Sequence, residues 1–397
     1  MMISKYKETV TKIILFILLY ISVFFPISSS GMLLSDLTKG ICSIVIFLLL
    51  FVLMRCQKLN TERFKILLAL FLYLIVASFV ITFKGEYHLS IFRLFQFLIC
   101  LMVLSIDSET TLEFKQLDIV ITILTFIIAG VNIMSLMHNQ TVCDYIVSNY
   151  TQYLDYITRS HLTHEKPIFT FGVHNIAAFF YMALFMLSLI IYDKLKKKKY
   201  LLFTFFYFTM LVFLKCTTSI GFILIALLFL ISKTHNTMVK AMLTICLLLV
   251  GMAFSFTPMF DNTFGILTKE SNGFLSRYSE STSSIFTNNF LILKSHILGT
   301  GFAVPNSSGE LYYADSGFFV NLLNGNIVYT LLFYYSVYQY ICTNIHDKEN
   351  RIFSIIFIVG MEVGFVTFQF YRTLIILLLF VFAVKAVESI YQERRQI

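Results

Sequence analysis

Long apolar segments alternate with short polar ones along almost the whole chain. A helix needs roughly 17 to 25 mostly apolar residues to cross a bilayer. Twelve segments are near this length: residues 11–27, 39–54, 66–83, 91–106, 118–137, 172–192, 200–214, 217–231, 241–256, 317–341, 352–370 and 373–390. The pattern predicts an all-α, polytopic membrane protein with about twelve transmembrane helices, forming a single integral membrane domain over residues 1–397.

Basic residues between these segments indicate the orientation. With the N-terminus placed in the cytoplasm, the inner connections contain most of the lysines and arginines, including Arg63 and the four lysines at 196–199. Cytoplasmic connections of membrane proteins are enriched in these residues. We therefore expect the N- and C-termini to be cytoplasmic.

The composition agrees with a membrane protein and needs no nucleic acid. Of the 397 residues, 58% are hydrophobic and only 13% are charged, against about 25% charged in a typical soluble domain. The net charge of +8 is explained by lysines at the cytoplasmic face, next to anionic lipid. The bilayer is the expected surrounding, and no nucleic-acid partner is expected.

Two connections are long, and the predicted orientation places both outside. The first large extracytoplasmic loop covers residues 138–171 and the second covers residues 257–316. Because loops commonly hold binding and catalytic residues, we expect the chemistry at the outer face. No outward acidic cluster of DxD type and no zinc or iron–sulfur spacing is present, so neither a metal nor a cofactor is expected.

The second loop contains two recognisable features. Phe286, Phe290, Leu293 and Ile297 recur at helical spacing, which predicts an amphipathic helix on the membrane surface or packed on the bundle. The stretch Gly-Thr-Gly-Phe at 299–302 follows and predicts a tight turn that needs a flexible backbone.

These features resemble the O-antigen and capsule polymerase (Wzy) family, which is related to the O-antigen ligases. Arg277 precedes the amphipathic helix, which leads into HILGTGF at 296–302, and DSGFFVNLLNGNIV at 315–328 opens the next apolar segment. FGVHNIAAFF at 171–180 is similar to the family's His-Asn opening of a helix.

One further motif departs from the family pattern. KCTTSIG at 215–221 is similar to a Thr-x-Ser-Arg-Gly turn, but Ile220 stands where an Arg is usual. This turn makes Lys215 a candidate structural or cavity residue.

The resemblance implies a reaction at the outer face of a bacterial inner or plasma membrane. Oligosaccharide repeat units linked to undecaprenyl pyrophosphate would be polymerised into an O-antigen, capsule or exopolysaccharide. The growing chain moves from its lipid pyrophosphate to a sugar hydroxyl of a new lipid-linked unit. Besides this lipid-linked oligosaccharide, the expected partners are a chain-length regulator and a flippase.

Such a reaction needs cations for the pyrophosphate, and arginine suits it best because its planar fork makes paired, charge-assisted hydrogen bonds. The outward-facing candidates are Arg277, Arg372, Arg93 and Arg159. Each has the alternative explanation of a snorkelling side chain or a structural ion pair.

The acceptor hydroxyl calls for a general base. Asp315 is the first candidate, because it lies where the second large loop enters a helix and where related ligases have a His. His174 and His296 are the alternatives. Asp315 and Ser316 are also suitable N-cap residues of the following helix.

Glu362 lies near the middle of the apolar segment 352–370. A carboxylate at such depth should be paired, protonated or facing a water-filled cavity. We expect a partner such as Arg93, with Gln369, seven residues later, on the same helical face.

Three other functions remain open. An O-antigen ligase shares the architecture, and a lipid-linked oligosaccharide flippase shares the helix number but has short loops throughout. A proton-coupled permease built around Glu362 is the third, although the two halves of the chain show no internal repeat.

Overall fold

A computed structural model describes most of the chain. The described residues are 2–26, 32–83, 85, 87–109, 112–151, 155–214, 217–233, 297–305 and 316–396, with a few positions between 237 and 248.

Within these ranges the fold is helical, apart from two short antiparallel ladders. The helices are α1 (Met2–Val23), α2 (Met32–Cys56), α3 (Thr61–Thr82), α4 (Ile91–Ser105), α5 (Phe114–Leu136), α6 (Gln140–Tyr150), α7 (Asp155–Thr163), α8 (His174–Leu195), α9 (Lys198–Phe213), α10 (Thr217–Lys233), α11 (Gly317–Asn344), α12 (Lys348–Gly364) and α13 (Tyr371–Gln396). The strands are β1 (Lys58–Leu59), β2 (Tyr87–Leu89), β3 (Ile106–Asp107) and β4 (Ala303–Pro305), and Thr367–Gln369 forms a 3₁₀ turn.

Several long apolar helices indicate a membrane-embedded protein. By length and composition, α3, α5, α8, α11 and α13 could each cross a bilayer. In α8, 83% of the most apolar stretch is buried, against 33% in α3 and α5. Helix α8 is therefore a central element, packed on α9 and α13, whereas α3 and α5 present an apolar face to the surroundings.

Eleven of the twelve predicted apolar segments coincide with described helices. Of the remaining one, 241–256, only residues 241, 244, 245, 247 and 248 are described. Two of the eleven are not the continuous helices that the apolar pattern predicted.

The first exception is α11, which folds back on itself at Asn326. In a straight helix, Asn321 and Tyr334 would lie about 20 Å apart, yet the Asn321 amide donates to the Tyr334 hydroxyl at 2.9 Å. The rings of Phe318 and Tyr334 are 4.7 Å apart. Asn326 has a left-handed φ of 65°, and its side-chain oxygen accepts from Val328 N at 2.9 Å, which caps the second half.

Helix α11 is thus a hairpin of α11a (residues 317–325) and α11b (residues 327–344). At 1.5 Å per residue, α11a is only about 13 Å long and cannot cross a bilayer, whereas α11b, at about 27 Å, is long enough. The prediction of one spanning helix over 317–341 was therefore wrong.

The second exception is the segment 352–370, where the helix ends at Gly364. Phe365 is extended, with φ −160° and ψ 160°. Glu362 accordingly lies in the last turn of α12, not in mid-helix, and Gln369 belongs to the 3₁₀ turn. The predicted shared helical face was wrong.

Connections between helices contact one another in two groups at opposite ends of the bundle. At one end, β1 pairs with β3 and Lys194 lies 2.7 Å from Asp347; we call it the Arg63 end. At the other, β2 pairs with β4 and the Tyr150 hydroxyl donates to Phe24 O at 2.8 Å; we call it the His174 end. The 22 residues of α8 separate the two ends by about 33 Å.

Candidate functional site

Two histidines meet at the first residue of α8. His174 Nδ1 lies 3.1 Å from Nε2 of His161 on α7, and the rings are close to perpendicular, with centroids 4.6 Å apart. Burial, followed by the charges of Lys166 and His164, lowers the pKa of His161 to about 4. His161 is therefore neutral at physiological pH, and it is a partner of His174 that the sequence did not predict.

Arg372, the second residue of α13, is buried, with 2% of its surface exposed. Its Nη1 donates to Thr170 O at 3.1 Å and its Nη2 to Phe25 O at 2.9 Å. The guanidinium lies 5.6 Å from the ring centroid of Phe171. Thr170 O thus joins Arg372 to a position four residues before His174, although the two site candidates are far apart in sequence.

The charge of Arg372 is not balanced by the described part of the chain. Its Nε has no hydrogen-bonding partner there, and no carboxylate of the described residues lies within 4.0 Å of its nitrogens. A buried cation that has no described carboxylate partner is electrostatically suited to an anion. The outward-facing placement and the phosphate contact of Arg372 stay predictions.

Arg93 lies at the same end, in the first turn of α4. Ser90 caps this helix, and Arg93 Nη1 donates to Ala303 O in β4 at 3.3 Å. It is half-buried. Its outward orientation stays a prediction.

The turn at 299–302 is confirmed as tight. Gly299 and Gly301 both have positive φ, at 82° and 58°. A side chain at Gly301 would collide with the backbone of Leu74 and the hydroxyl of Ser78. Phe302 N donates to the Ser78 hydroxyl at 2.6 Å, which fastens the turn to α3.

The same turn closes the end of α11a. Thr300 N donates to Leu323 O at 2.9 Å, and Gly301 N donates to Asn324 O at 2.8 Å. The last carbonyls of a helix lack partners within it, so this turn supplies the donors that the hairpin requires.

Glu362 is fully buried and lies against the start of α11a. Its carboxylate accepts from the Tyr334 hydroxyl and from Thr367 N at 2.8 Å, and a side chain at Gly317 would collide with it. The predicted pairing with Arg93 was wrong, since the described contacts of this carboxylate are to neutral donors. The Asn-Gly-Asn sequence at 324–326 was the available signal for the hairpin that brings Tyr334 here.

Arg159 is on the surface, 58% exposed, and lies 3.1 Å from Asp144. The structure therefore places it in a solvated ion pair, one of the two explanations that the sequence left open.

Four candidates fall outside the described residues: Asp315, His296, Arg277 and Lys215. Most of the predicted amphipathic helix and most of the second large loop lie there too. Their roles stay predictions.

No family model, no curated protein and no solved structure matches this chain.

Proposed function

We propose that this protein polymerises oligosaccharide repeat units linked to undecaprenyl pyrophosphate, at the outer face of a bacterial inner or plasma membrane. It would be a glycosyltransferase-type polymerase of about twelve transmembrane helices, with both termini in the cytoplasm. The product would be a surface polysaccharide such as an O-antigen, a capsule or an exopolysaccharide.

One observation carries this proposal: a buried arginine without a carboxylate partner and a histidine share one short segment. Arg372 holds Thr170 O, and His174 begins the helix that follows. A leaving pyrophosphate needs a cation, and an acceptor hydroxyl needs a base. The two groups required by glycosyl transfer from a lipid pyrophosphate therefore lie at one end of the bundle.

Arg93 and the glycine turn also lie at this end of the bundle. Arg93 contacts Ala303 O, directly after the 299–302 turn, and α11a is held by the same turn. Irregular backbone at membrane depth is tolerated where it is buried in protein or lines a cavity. This arrangement fits a polar site entered from the His174 end.

The grouping of connections supports the proposed orientation. Segments assigned to the cytoplasm contact one another at the Arg63 end, as in the β1–β3 ladder, and segments assigned to the outside do so in the β2–β4 ladder. A helix count wrong by one between the two strands of either ladder would have put those strands at opposite ends.

The test is the length distribution of lipid-linked glycans in a strain lacking this gene. We expect single repeat units at the outer face and no polymer. Long lipid-linked polymer that never reaches its final acceptor would instead indicate a ligase, and repeat units held on the cytoplasmic side would indicate a flippase. Either result would overturn the proposal.

A second candidate, proton-coupled transport, is favoured by the hairpin in α11 and the buried carboxylate of Glu362. Broken helices next to ionisable groups are common at transporter binding sites. A Glu362→Gln variant separates the two candidates, because Gln can still accept from Tyr334 but cannot exchange a proton. Normal polymer in this variant favours the polymerase, and loss of a proton-dependent flux favours transport.

A further inference from the structure

The His161–His174 contact defines a proton position that the proposed function leaves unassigned. Its two nitrogens are 3.1 Å apart, a normal hydrogen-bond length. Two N–H groups cannot face each other at this distance, and two lone pairs would repel, so one nitrogen donates and the other accepts.

The donor in this contact follows from the requirement that the hydrogen bond persists when His174 gains and loses a proton. When His174 takes up a proton, both of its nitrogens become donors, so only a lone pair on His161 Nε2 can satisfy His174 Nδ1. If His174 Nδ1 is already the donor in the neutral state, nothing in the pair has to rearrange. The opposite tautomer would require a proton to move across the contact first. Since His161 stays neutral above a pKa of about 4, its Nε2 can serve as acceptor in both states.

The backbone fixes the two rings relative to each other. The Thr158 hydroxyl on α7 donates to Gly172 O at 3.1 Å, two residues before His174. Lys166 N donates to His161 O at 3.0 Å, which closes the end of α7. Tyr181, on α8, donates to Pro167 O at 2.8 Å. Helix α7, the segment 167–173 and the start of α8 therefore form one unit.

Charged groups lie on α7 and the segment after it, and on the neighbouring elements α6, α12 and α13. His164 and Lys166 act on His161 from the end of α7, and Glu165 lies 3.9 Å from His138. Arg159 on α7 is paired with Asp144 of α6, and Arg372 of α13 reaches Thr170 O.

On α12, Glu362 is held by Tyr334 and Thr367. Asp144, Glu165 and Glu362 thus have other partners, and His161 Nε2 lies within hydrogen-bonding distance of His174 Nδ1.

We propose that His161 is a positioning residue, which holds His174 with its proton on Nδ1 so that Nε2 is the nitrogen that accepts the proton of the acceptor sugar hydroxyl. In the step itself, the hydroxyl oxygen bonds to the anomeric carbon of the growing chain. The bond from that carbon to the pyrophosphate breaks, and its electron pair leaves with undecaprenyl pyrophosphate. The hydroxyl proton passes to His174 Nε2 and then to water. This inference rests on the proposed function, which supplies the reaction and the proton-transfer cycle that selects the tautomer, whereas the titration of His174 can be measured without it.

The test compares His161→Gln with His161→Asn. The Gln amide can place an acceptor near the Nε2 position, whereas the Asn amide reaches only the Nδ1 position. His161→Leu removes the acceptor, and His164→Leu is the matched control on the same segment. Two readouts apply: polymer formed by membranes from lipid-linked repeat units across a pH series, and the pH midpoint of His174 carbethoxylation by diethyl pyrocarbonate, measured by peptide mass spectrometry.

We expect His161→Leu and His161→Asn to lower polymer formation roughly tenfold or more. The midpoint of His174 should fall by roughly one pH unit, because the imidazolium loses its acceptor. His161→Gln should stay within about threefold of wild type, and His164→Leu should match wild type. If His161→Leu does not fold, the Gln and Asn pair alone decides.

Equal activity and equal midpoints in the Gln and Asn variants would overturn the inference. A shifted midpoint in a protein that forms no polymer would instead keep the positioning role and reject the polymerase, so the two failures can be told apart.

Discussion

Arg63 and Arg372 are both buried arginines, but their surroundings are opposite. Arg63 is fully buried, and Nη2 lies 2.6 Å from the carboxylate of Asp107. Nη1 donates to the Thr343 hydroxyl at 2.9 Å, and Nε donates to Leu104 O. Arg372 has two backbone carbonyls, no described carboxylate partner and an Nε without a described partner.

The difference separates a structural arginine from a functional candidate. A buried charge is tolerated when it is paired and its donors are satisfied, and Arg63 meets this condition within its own chain. Arg372 does not meet it among the described residues, which makes it the candidate for contact with an anion. Under the proposed function, the Arg63 end holds the helices together, and the His174 end keeps a charge available for a ligand.

Replacing Arg63 with Met should give the largest loss of stability, because it leaves Asp107 without its cation. We expect roughly 3–5 kcal/mol, the usual cost of breaking a buried pair, measured by thermal unfolding in detergent. Arg55→Met is the control, since Arg55 is exposed at the end of α2 and lies over Phe51. A loss no larger than that of the control would contradict the structural role of Arg63.

Replacing Arg372 with Met should have the opposite effect: a small loss of stability and a large loss of polymer. Removing an unbalanced charge offsets the loss of two bonds to carbonyls, so the melting temperature should fall far less than in the Arg63 variant. Polymer should fall by roughly 10²-fold or more, as when a transition-state charge loses its partner. The measurement is polymer length by gel in the complemented deletion strain, at matched protein level. Normal polymer would remove Arg372 from the site.

Asn326→Ala tests whether the α11 hairpin depends on the backbone and side chain of Asn326. Alanine disfavours the left-handed backbone of this position, and the cap on Val328 N is lost. Together these changes should cost roughly 2 kcal/mol, measured by thermal unfolding. Asn324→Ala, two residues earlier and inside α11a, is the control and should change stability by less than about 0.5 kcal/mol. Equal effects would mean that the hairpin does not depend on Asn326.

The two ends should also lose stability in different pH windows. Burial opposes ionisation of Asp107, but Arg63, Asn60 and Thr343 outweigh burial and hold the pKa of Asp107 below its ordinary value. A carboxyl group with a lowered folded pKa stabilises the fold above its unfolded pKa, and this contribution is lost as the pH falls through the folded value. The Arg63 end should therefore weaken only below roughly pH 4.

His161 affects stability in a window of higher pH. Its pKa is lowered to about 4 in the fold, so the unfolded chain binds the extra proton first, and stability should fall from roughly pH 6.5 downward to about 4. Melting temperature against pH checks both windows. Asp107→Asn should flatten only the lower one and His161→Gln only the upper one. A single common window would contradict the assignment.

Arg159→Ala should have the smallest effect. Its ion pair with Asp144 is more than half exposed on the arginine side, and such pairs are worth less than about 1 kcal/mol. Unfolding and polymer length should be measured together. A loss of polymer at unchanged stability would instead indicate that Arg159 contacts the pyrophosphate.

Much of the helical framework was predictable from the sequence, because apolar segments of bilayer length form helices whatever their partners. The hairpin at Asn326 was not, since the apolar pattern continues through it and the break depends on donors supplied by Thr300 and Gly301 from a distant turn. The end of α12 was not predictable for a similar reason. Thr367 N donates to the Glu362 carboxylate and not to a backbone carbonyl that would continue the helix.

For the site, residue type was predictable and environment was not. An arginine at 372 and a histidine at 174 stood out as groups that pyrophosphate and hydroxyl chemistry require. Their connection through Thr170 O is a tertiary contact that no local pattern encodes. Arg63 is the opposite example. The sequence predicted an ordinary basic residue of a cytoplasmic connection, but the fold buries its side chain completely.

The proposed polymerase activity is tested by the product that the purified protein makes in liposomes supplied with lipid-linked repeat units. We expect a ladder of lipid-linked chains, with one undecaprenyl pyrophosphate released for each unit added. The wild type should form the ladder, and the folded Arg372→Met protein should not. A wild-type protein that is folded and correctly inserted but leaves every repeat unit single would show that this protein is not the polymerase.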